Sequence, residues 1–138
     1  MVAYLLDEFS ANEPPHPSEA PPDALAELRA DLDDARRRLG GPLGTVYIEL
    51  LARSQRDPDV AAALRAMDAA WTNWLTIILD RGRAQGIVRP DLDPELATTT
   101  IRAVTLGVGI QGRLDDPKAI DRAMSAVTAL IESWLRRP

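Results

Sequence analysis

The chain has 138 residues, of which 46% are hydrophobic and 27% are charged, a composition that suits a single globular domain. Its net charge of −5 argues against a free-standing nucleic-acid binder, and the absence of cysteine excludes disulfides and thiolate metal sites. No apolar run reaches the ~20 residues of a membrane span, and the N-terminus lacks the basic lead of a secretory signal. We therefore expect a cytoplasmic protein without membrane contacts.

The first part of the chain is predicted to be the end of a longer element followed by a loop. Residues 1–10 carry apolar side chains at helical spacing, but so short a helix is marginal by itself. We interpret it as the end of a connecting helix. Residues 11–22 are rich in proline, which excludes regular structure and predicts a loop.

The remaining residues, 23–138, show helical periodicity throughout. Apolar side chains recur every three or four positions, and no stretch alternates with the period of a strand. Asp-Pro pairs mark three helix starts, because the carboxylate can cap the helix and proline suits its first turn. The predicted helices span 23–39, a short segment after Pro42, 58–85, 94–114 and 117–136. This pattern predicts an all-α fold, an antiparallel bundle of about five to six helices.

The link between the long helix and the penultimate one carries several helix-breaking residues, in the stretch DRGRAQGIVRPDLDPELA. Gly86 suits the left-handed position after a helix end, and Pro90 prevents helical continuation. Asp93 can cap the helix that follows. The link is therefore predicted to join two helices at a fixed angle.

The penultimate helix is apolar around too much of its circumference for one core. On a helical wheel its apolar arc spans roughly 220°, about twice what packing on a single core requires. The narrow polar side consists of Thr98, Arg102, Thr105, Gly109 and Arg113. Either this helix is sandwiched within its own chain, or a second copy covers it. We favour the second copy, because the final helix carries another wide apolar stripe and few other helices remain to cover both.

The order and spacing of these segments resemble the C-terminal domain of tetracycline-repressor-type (TetR) transcriptional regulators. The resemblance covers residues 2–136 and rests on RDPDVAAALRAMDAAWTNWL, ILDRGRAQGIVRPDLDPELA, AVTLGVGIQGRL and the final amphipathic helix. It implies an all-helical domain with an effector pocket, whose last two helices pair with those of a second copy in a four-helix bundle. The family's N-terminal helix-turn-helix is missing from this sequence, so we expect no operator binding by the chain as written.

The candidate site residues lie on the apolar faces of the predicted helices or beside them. Aromatic and methionine side chains offer apolar contact area, and a polar tip can orient a ligand. The candidate ligand-binding residues are Tyr47, Met67, Trp71, Trp74 and Gln111, although the two tryptophans alternatively fill the core and Gln111 alternatively bonds across the dimer. We expect Thr105 to be exposed to solvent, with a contact to a ligand or a bond across the dimer as the alternatives. The candidate dimer-interface residues are Ile101, Val104, Val108, Val127, Ile131 and Trp134.

The charged clusters are explained without a ligand. Capping and a solvated helix face account for the acidic groups at 31–34 and 91–95, and the helix dipole accounts for the arginines at 36–38. The single histidine, His16, has no second histidine or cysteine to complete a metal site. No serine has the context of a nucleophile. We predict no metal, no cofactor and no enzymatic activity.

The sequence therefore predicts the ligand-sensing and dimerisation domain of a TetR-like regulator, acting as a homodimer with a small apolar effector. The alternative is a ligand-free helical interaction module that dimerises with itself or with full-length regulators.

Overall fold

A computed structural model of the protein describes residues 23–114 and 116–136, together with Tyr4 and Asp7. The predicted connecting helix and proline-rich loop, at 1–10 and 11–22, otherwise lie outside the described residues. Five helices are present there: α1 Ala24–Gly40, α2 Pro42–Ser54, α3 Pro58–Ala84, α4 Pro94–Gln111 and α5 Pro117–Leu135. None of the described helices is long and apolar enough to cross a bilayer. The predicted all-α fold is confirmed.

Aspartate side chains begin four of the five helices. The carboxylates of Asp23, Asp57, Asp93 and Asp116 each accept a hydrogen bond from a backbone amide in the first turn. Proline occupies the first turn after the last three of these caps. Each cap contributes about 1 kcal/mol, because it satisfies an amide that has no partner within the helix.

Helices α1 and α4 each contact all four other helices, whereas the longest helix, α3, contacts α1, α2 and α4, and α5 contacts α1 and α4. The main core combines aliphatic side chains of α1, α3, α4 and α5 with two tryptophans, and its larger members in these helices are Leu25, Leu28, Leu32, Trp71, Trp74, Leu75, Ile78, Leu79, Ile101, Ile131 and Leu135. A smaller cluster of Leu50, Val60 and Leu64 joins α2 to α3. Burying each such aliphatic side chain stabilises the fold by about 1.5–3 kcal/mol.

The link between α3 and α4 is anchored at both ends. Gly86 has a φ of +73°, the left-handed conformation expected after a helix end. Val88 is 1% exposed and its amide donates to the carbonyl of Gly82, 3.1 Å away. The amide of Arg89 then donates to the carbonyl of Leu135, 2.9 Å away, at the end of α5. The link therefore fixes α5 as well as α4 relative to α3.

The turn between α4 and α5 comes earlier than predicted, because α4 ends at Gln111 instead of residue 114. A Cβ atom at Gly112 would lie 2.5 Å from Cγ1 of Ile120, so only glycine allows α5 to fold back this closely.

The orientation of α4 is the reverse of what its wheel suggests. Thr98 and Thr105, on the polar side, are 0% and 8% exposed, and the expectation that Thr105 faces solvent is wrong. The Thr105 hydroxyl donates to the carbonyl of Ile101, 2.7 Å away, so its burial leaves no hydrogen bond unmade. On the apolar side, Leu96 is 61% exposed and Ile110 is 40% exposed. The side of α4 that packs on this chain therefore includes its polar side, together with Ala97 and Ile101.

Candidate ligand-binding cavity

A cavity of about 90 Å³ lies between α1, α2, α3 and α4. Its apolar wall is formed mainly by Leu39 and Leu43 near the α1–α2 junction, Met67 and Trp71 of α3, and Ile101 of α4. Such a space is larger than a single water molecule needs, and an apolar lining favours an organic molecule over water.

Trp71 forms the aromatic surface of the cavity. It is 6% exposed and packs edge-to-face against Trp74, with ring centroids 5.9 Å apart and an angle of 76°. Trp74 is 2% exposed, belongs to the main core, and does not line the cavity. One tryptophan therefore contacts the cavity and the other supports it from behind.

One corner of the cavity is charged. The guanidinium of Arg38 lies 4.6 Å from the centroid of the Trp71 ring. Its Nη2 donates to Oδ1 of Asp31 at 3.3 Å, and its Nη1 donates to Oδ2 of Asp34 at 2.5 Å. The Asp31 side chain is only 10% exposed, and burial raises the pKa of its carboxyl although Arg38 opposes the shift.

The charged corner corrects two expectations from the sequence. Asp31 does not belong to a solvated face, and Arg38 does more than complement the dipole at the end of α1. The two residues are seven positions apart, so they share one side of α1 at the edge of its leucine stripe. That spacing is the signal that was available in the sequence.

Another part of the lining combines Tyr47 of α2 with Arg102 and Thr105 of α4. Arg102 is paired with Asp68 of α3, which fixes its head at the cavity edge. Burial raises the pKa of Tyr47, and the nearby Arg102 acts in the opposite direction. Polar groups of three helices therefore contribute to the lining.

Arg113 holds the end of the cavity formed by the α1–α2 junction. Its Nη2 donates to the carbonyls of Leu39 and Gly41 at 2.7 and 2.6 Å, and its Nη1 donates to the hydroxyl of Thr45 at 2.6 Å. The C-terminal end of α4 is thereby tied to the turn between α1 and α2.

The predicted ligand-binding residues divide into two groups. Tyr47, Met67 and Trp71 line the cavity, whereas Trp74 lies in the core and Gln111 is exposed outside it. The candidate ligand-binding residues named from the sequence do not include the other polar lining residues, which are Asp31, Arg38, Arg102 and Thr105.

The predicted dimer-interface residues also divide. Ile101 and Ile131 are 2% and 6% exposed and fill the core of this chain, so they present no surface to a second copy, which corrects that assignment. Val104 is 40% exposed, and the three others, Val108, Val127 and Trp134, are half-buried. The wheel did not separate the two groups, because Ile101 is as apolar as the exposed residues beside it.

The fold and the cavity together define a class, an all-helical bundle that contains an apolar cavity with a charged corner. The sequence profile of the family described as "BetI-type transcriptional repressor, C-terminal" matches residues 23–136. The chain belongs to this family of transcriptional-repressor C-terminal domains. It is therefore a domain of a transcriptional regulator and not an enzyme, and the resemblance to TetR-type regulators is confirmed.

Solved structures agree with this assignment. A TetR transcriptional regulator from Chloroflexus aurantiacus is 19% identical, with a TM-score of 0.76 over 99% of this chain and 71% of that one. A protein described as a transcriptional regulator from Saccharomonospora viridis, solved in complex with choline, is 20% identical, with a TM-score of 0.74 over 99% and 70%. At these identities the likeness shows the fold. No curated protein sequence matches the chain.

Proposed function

We propose that this domain senses a small effector and forms a homodimer through α4 and α5. The observation that carries the proposal is the double role of α4. Its inner side contributes Ile101, Arg102 and Thr105 to the cavity. Its outer side carries exposed apolar residues, of which Leu96 is 61% exposed and Ile110 is 40% exposed. A molecule in the cavity therefore touches the helix that would form the interface.

Dimerisation is supported by the outer row of α4, in which Leu96 is followed by Ala103, Gly107 and Ile110 at steps of seven, four and three. On α5, Leu130 is 68% exposed. A Cβ atom at Gly107 would meet nothing within 4 Å in this chain, which leaves room for a close helix from a partner. Continuous apolar surface of this kind is typical of an interface, and a second copy would remove it from water.

The proposed effector is a small, mostly apolar molecule with a cationic group. The cavity offers the face of Trp71 beside the carboxylate of Asp31, a combination that binds organic cations. A guanidinium already fits there, since Arg38 lies 4.6 Å from the ring centroid. The choline complex of the Saccharomonospora viridis protein supports testing quaternary ammonium compounds first.

The cavity also favours ligand sensing over the alternative of a ligand-free interaction module. Such a module would be expected to fill the space with its tryptophans. Trp71 instead lines an open volume of about 90 Å³, and Trp74 points into the core.

Thermal unfolding tests the sensing role. We expect choline, or another small organic cation, to raise the melting temperature, because a ligand at 100 times its Kd stabilises the native state by about 2.7 kcal/mol. The uncharged isostere 3,3-dimethyl-1-butanol should have a smaller effect. Trp71→Leu should abolish the shift, whereas Trp134→Leu, outside the cavity, should retain it.

The sensing role would be refuted if a broad panel of cationic, neutral and anionic small molecules left the melting temperature of the wild type unchanged. A shift that survives Trp71→Leu would place the binding site elsewhere.

A further inference from the structure

The cation position of the cavity is already occupied by a side chain of the protein itself. Arg38 stacks on Trp71 and bonds to Asp31, the aromatic face and the carboxylate that an incoming organic cation would need. Both groups are deeply placed, since Trp71 is 6% exposed and the Asp31 side chain is 10% exposed. An external cation therefore has to compete with Arg38 for the same two partners.

A second position, beside Asp34, is available to the Arg38 side chain. Its Nη1 bonds to Asp34, whose side chain is 45% exposed and lies one helical turn before Arg38 on α1. A rotation of the long arginine side chain can keep this exposed partner while it leaves the Trp71 face. Arg102 differs, because its guanidinium is paired with Asp68 of α3.

We propose that Arg38 acts as an internal competitor, which occupies the position of the effector's cationic group and moves toward Asp34 when the effector binds. Arg38 then determines specificity, since only a cation that interacts with Trp71 and Asp31 better than the guanidinium does can replace it. The proposal rests on the proposed function and adds the identity of the residue that the ligand displaces.

Three probes of similar shape and different charge test the proposal by titration: tetramethylammonium, tert-butanol and pivalate. The proteins compared are the wild type, Arg38→Met, which keeps an apolar stem but removes the charge, and Arg37→Met. Arg37 is a matched control, because it lies one residue away, bonds to Asp34 and has a side chain that is 65% exposed. Circular dichroism and thermal unfolding check that each variant is folded.

We expect Arg38→Met to bind tetramethylammonium about tenfold more tightly than the wild type, since the competing cation–π contact is removed. The affinity for tert-butanol should stay within about twofold, because a neutral molecule gains little from either partner. Arg37→Met should behave as the wild type does for all three probes.

A second measurement uses the wild type alone and does not depend on the folding of a variant. While Arg38 stacks on Trp71, the ring current should shift the NMR signals of the Arg38 side-chain protons upfield. Saturation with tetramethylammonium should abolish this upfield shift, and saturation with tert-butanol should preserve it.

Several outcomes would overturn the proposal. One is an unchanged or weaker affinity of Arg38→Met for tetramethylammonium, and another is binding that leaves the Arg38 signals in place. Pivalate that binds the wild type and loses affinity in Arg38→Met would make Arg38 a receptor for anions. If other small molecules stabilise the wild type but tetramethylammonium does not bind, the sensing role stands and the competitor role falls.

Discussion

A helix at a protein surface usually buries apolar side chains and exposes polar ones, and the two sides of α4 depart from this rule. The inner side contains Thr98 and Thr105, which are 0% and 8% exposed. The outer side contains Leu96 and Ile110, which are 61% and 40% exposed. The comparison teaches that threonine can be buried at low cost when its hydroxyl finds a partner, within the helix for Thr105 and on α3 for Thr98. The apolar outer side is where the proposed second copy would pack.

The largest expected effect concerns the outer side. Ile110→Glu should raise the dimer dissociation constant at least about 100-fold, because it places an unpaired charge in the proposed interface. Sedimentation equilibrium measures the change. Ile77→Glu on α3 is the matched control, because Ile77 is 41% exposed and Ile110 is 40% exposed.

Two results would contradict the proposed interface on the outer side of α4. If the wild type is monomeric at micromolar concentration, no second copy covers the outer side of α4. Equal weakening by Ile110→Glu and Ile77→Glu would show that the interface is not specific to α4.

The next effect concerns the inner side. A Cβ atom at Gly109 would lie 2.8 Å from Cδ1 and 2.9 Å from Cβ of Leu39, whereas one at Gly107 would meet nothing within 4 Å. Gly109→Ala should therefore be about 1–3 kcal/mol less stable than Gly107→Ala, since both gain the same helix propensity but only the first overpacks the core. Urea unfolding in the Ile110→Glu background compares the two monomers. Equal stability would mean that α1 and α4 can move apart without cost.

A smaller effect tests whether the buried threonines act mainly through their shape. Thr98 Oγ1 lies 3.3 Å from Thr76 Oγ1, and the Thr76 hydroxyl also donates to the carbonyl of Thr72 at 2.9 Å. Thr98→Val should therefore cost less than about 1 kcal/mol in the free energy of unfolding. Thr98→Ala should cost more, because it leaves a hole in the core. A larger loss in the valine variant would show that the hydroxyl pair itself stabilises the inner side.

The smallest effect concerns the link that positions α4. The guanidinium of Arg89 lowers the pKa of Asp91 to about 2, so Asp91 binds a proton less readily in the folded state than in the unfolded chain. Its contribution to stability is present above its ordinary pKa of 3.8 and is lost as the pH falls from there toward about 2. Asp91→Asn should therefore be slightly less stable than the wild type at pH 6, and the difference should shrink between pH 4 and pH 2. A difference that does not change with pH would contradict the ion pair.

The starts of the helices could be predicted from the sequence, because the residues that cap them act locally. Asp57, Asp93 and Asp116 cap their helices within two or three residues, so no distant contact decides the outcome. The position of Gly86 at positive φ was predictable for the same reason.

The cavity was predicted only in part, because charge and polarity on a wheel do not reveal partners on other helices. Tyr47, Met67 and Trp71 stand out by chemistry alone. Asp31 and Arg38 looked like solvated charges, although each reduces the cost of burying the other. Which side of α4 faces inward depends on how closely α1 approaches Gly109, and sequence periodicity contains no such distance.

The bonds made by Arg113 have a consequence for folding. The last carbonyls of a helix lack partners within it, and that of Leu39 near the end of α1 accepts from the side chain of Arg113, which lies 74 positions later in the chain. Docking of the segment after α4 therefore adds a hydrogen bond to the end of the first helix. We expect the two halves of the domain to unfold in one cooperative transition, with no stable intermediate in which α1 to α3 stand alone.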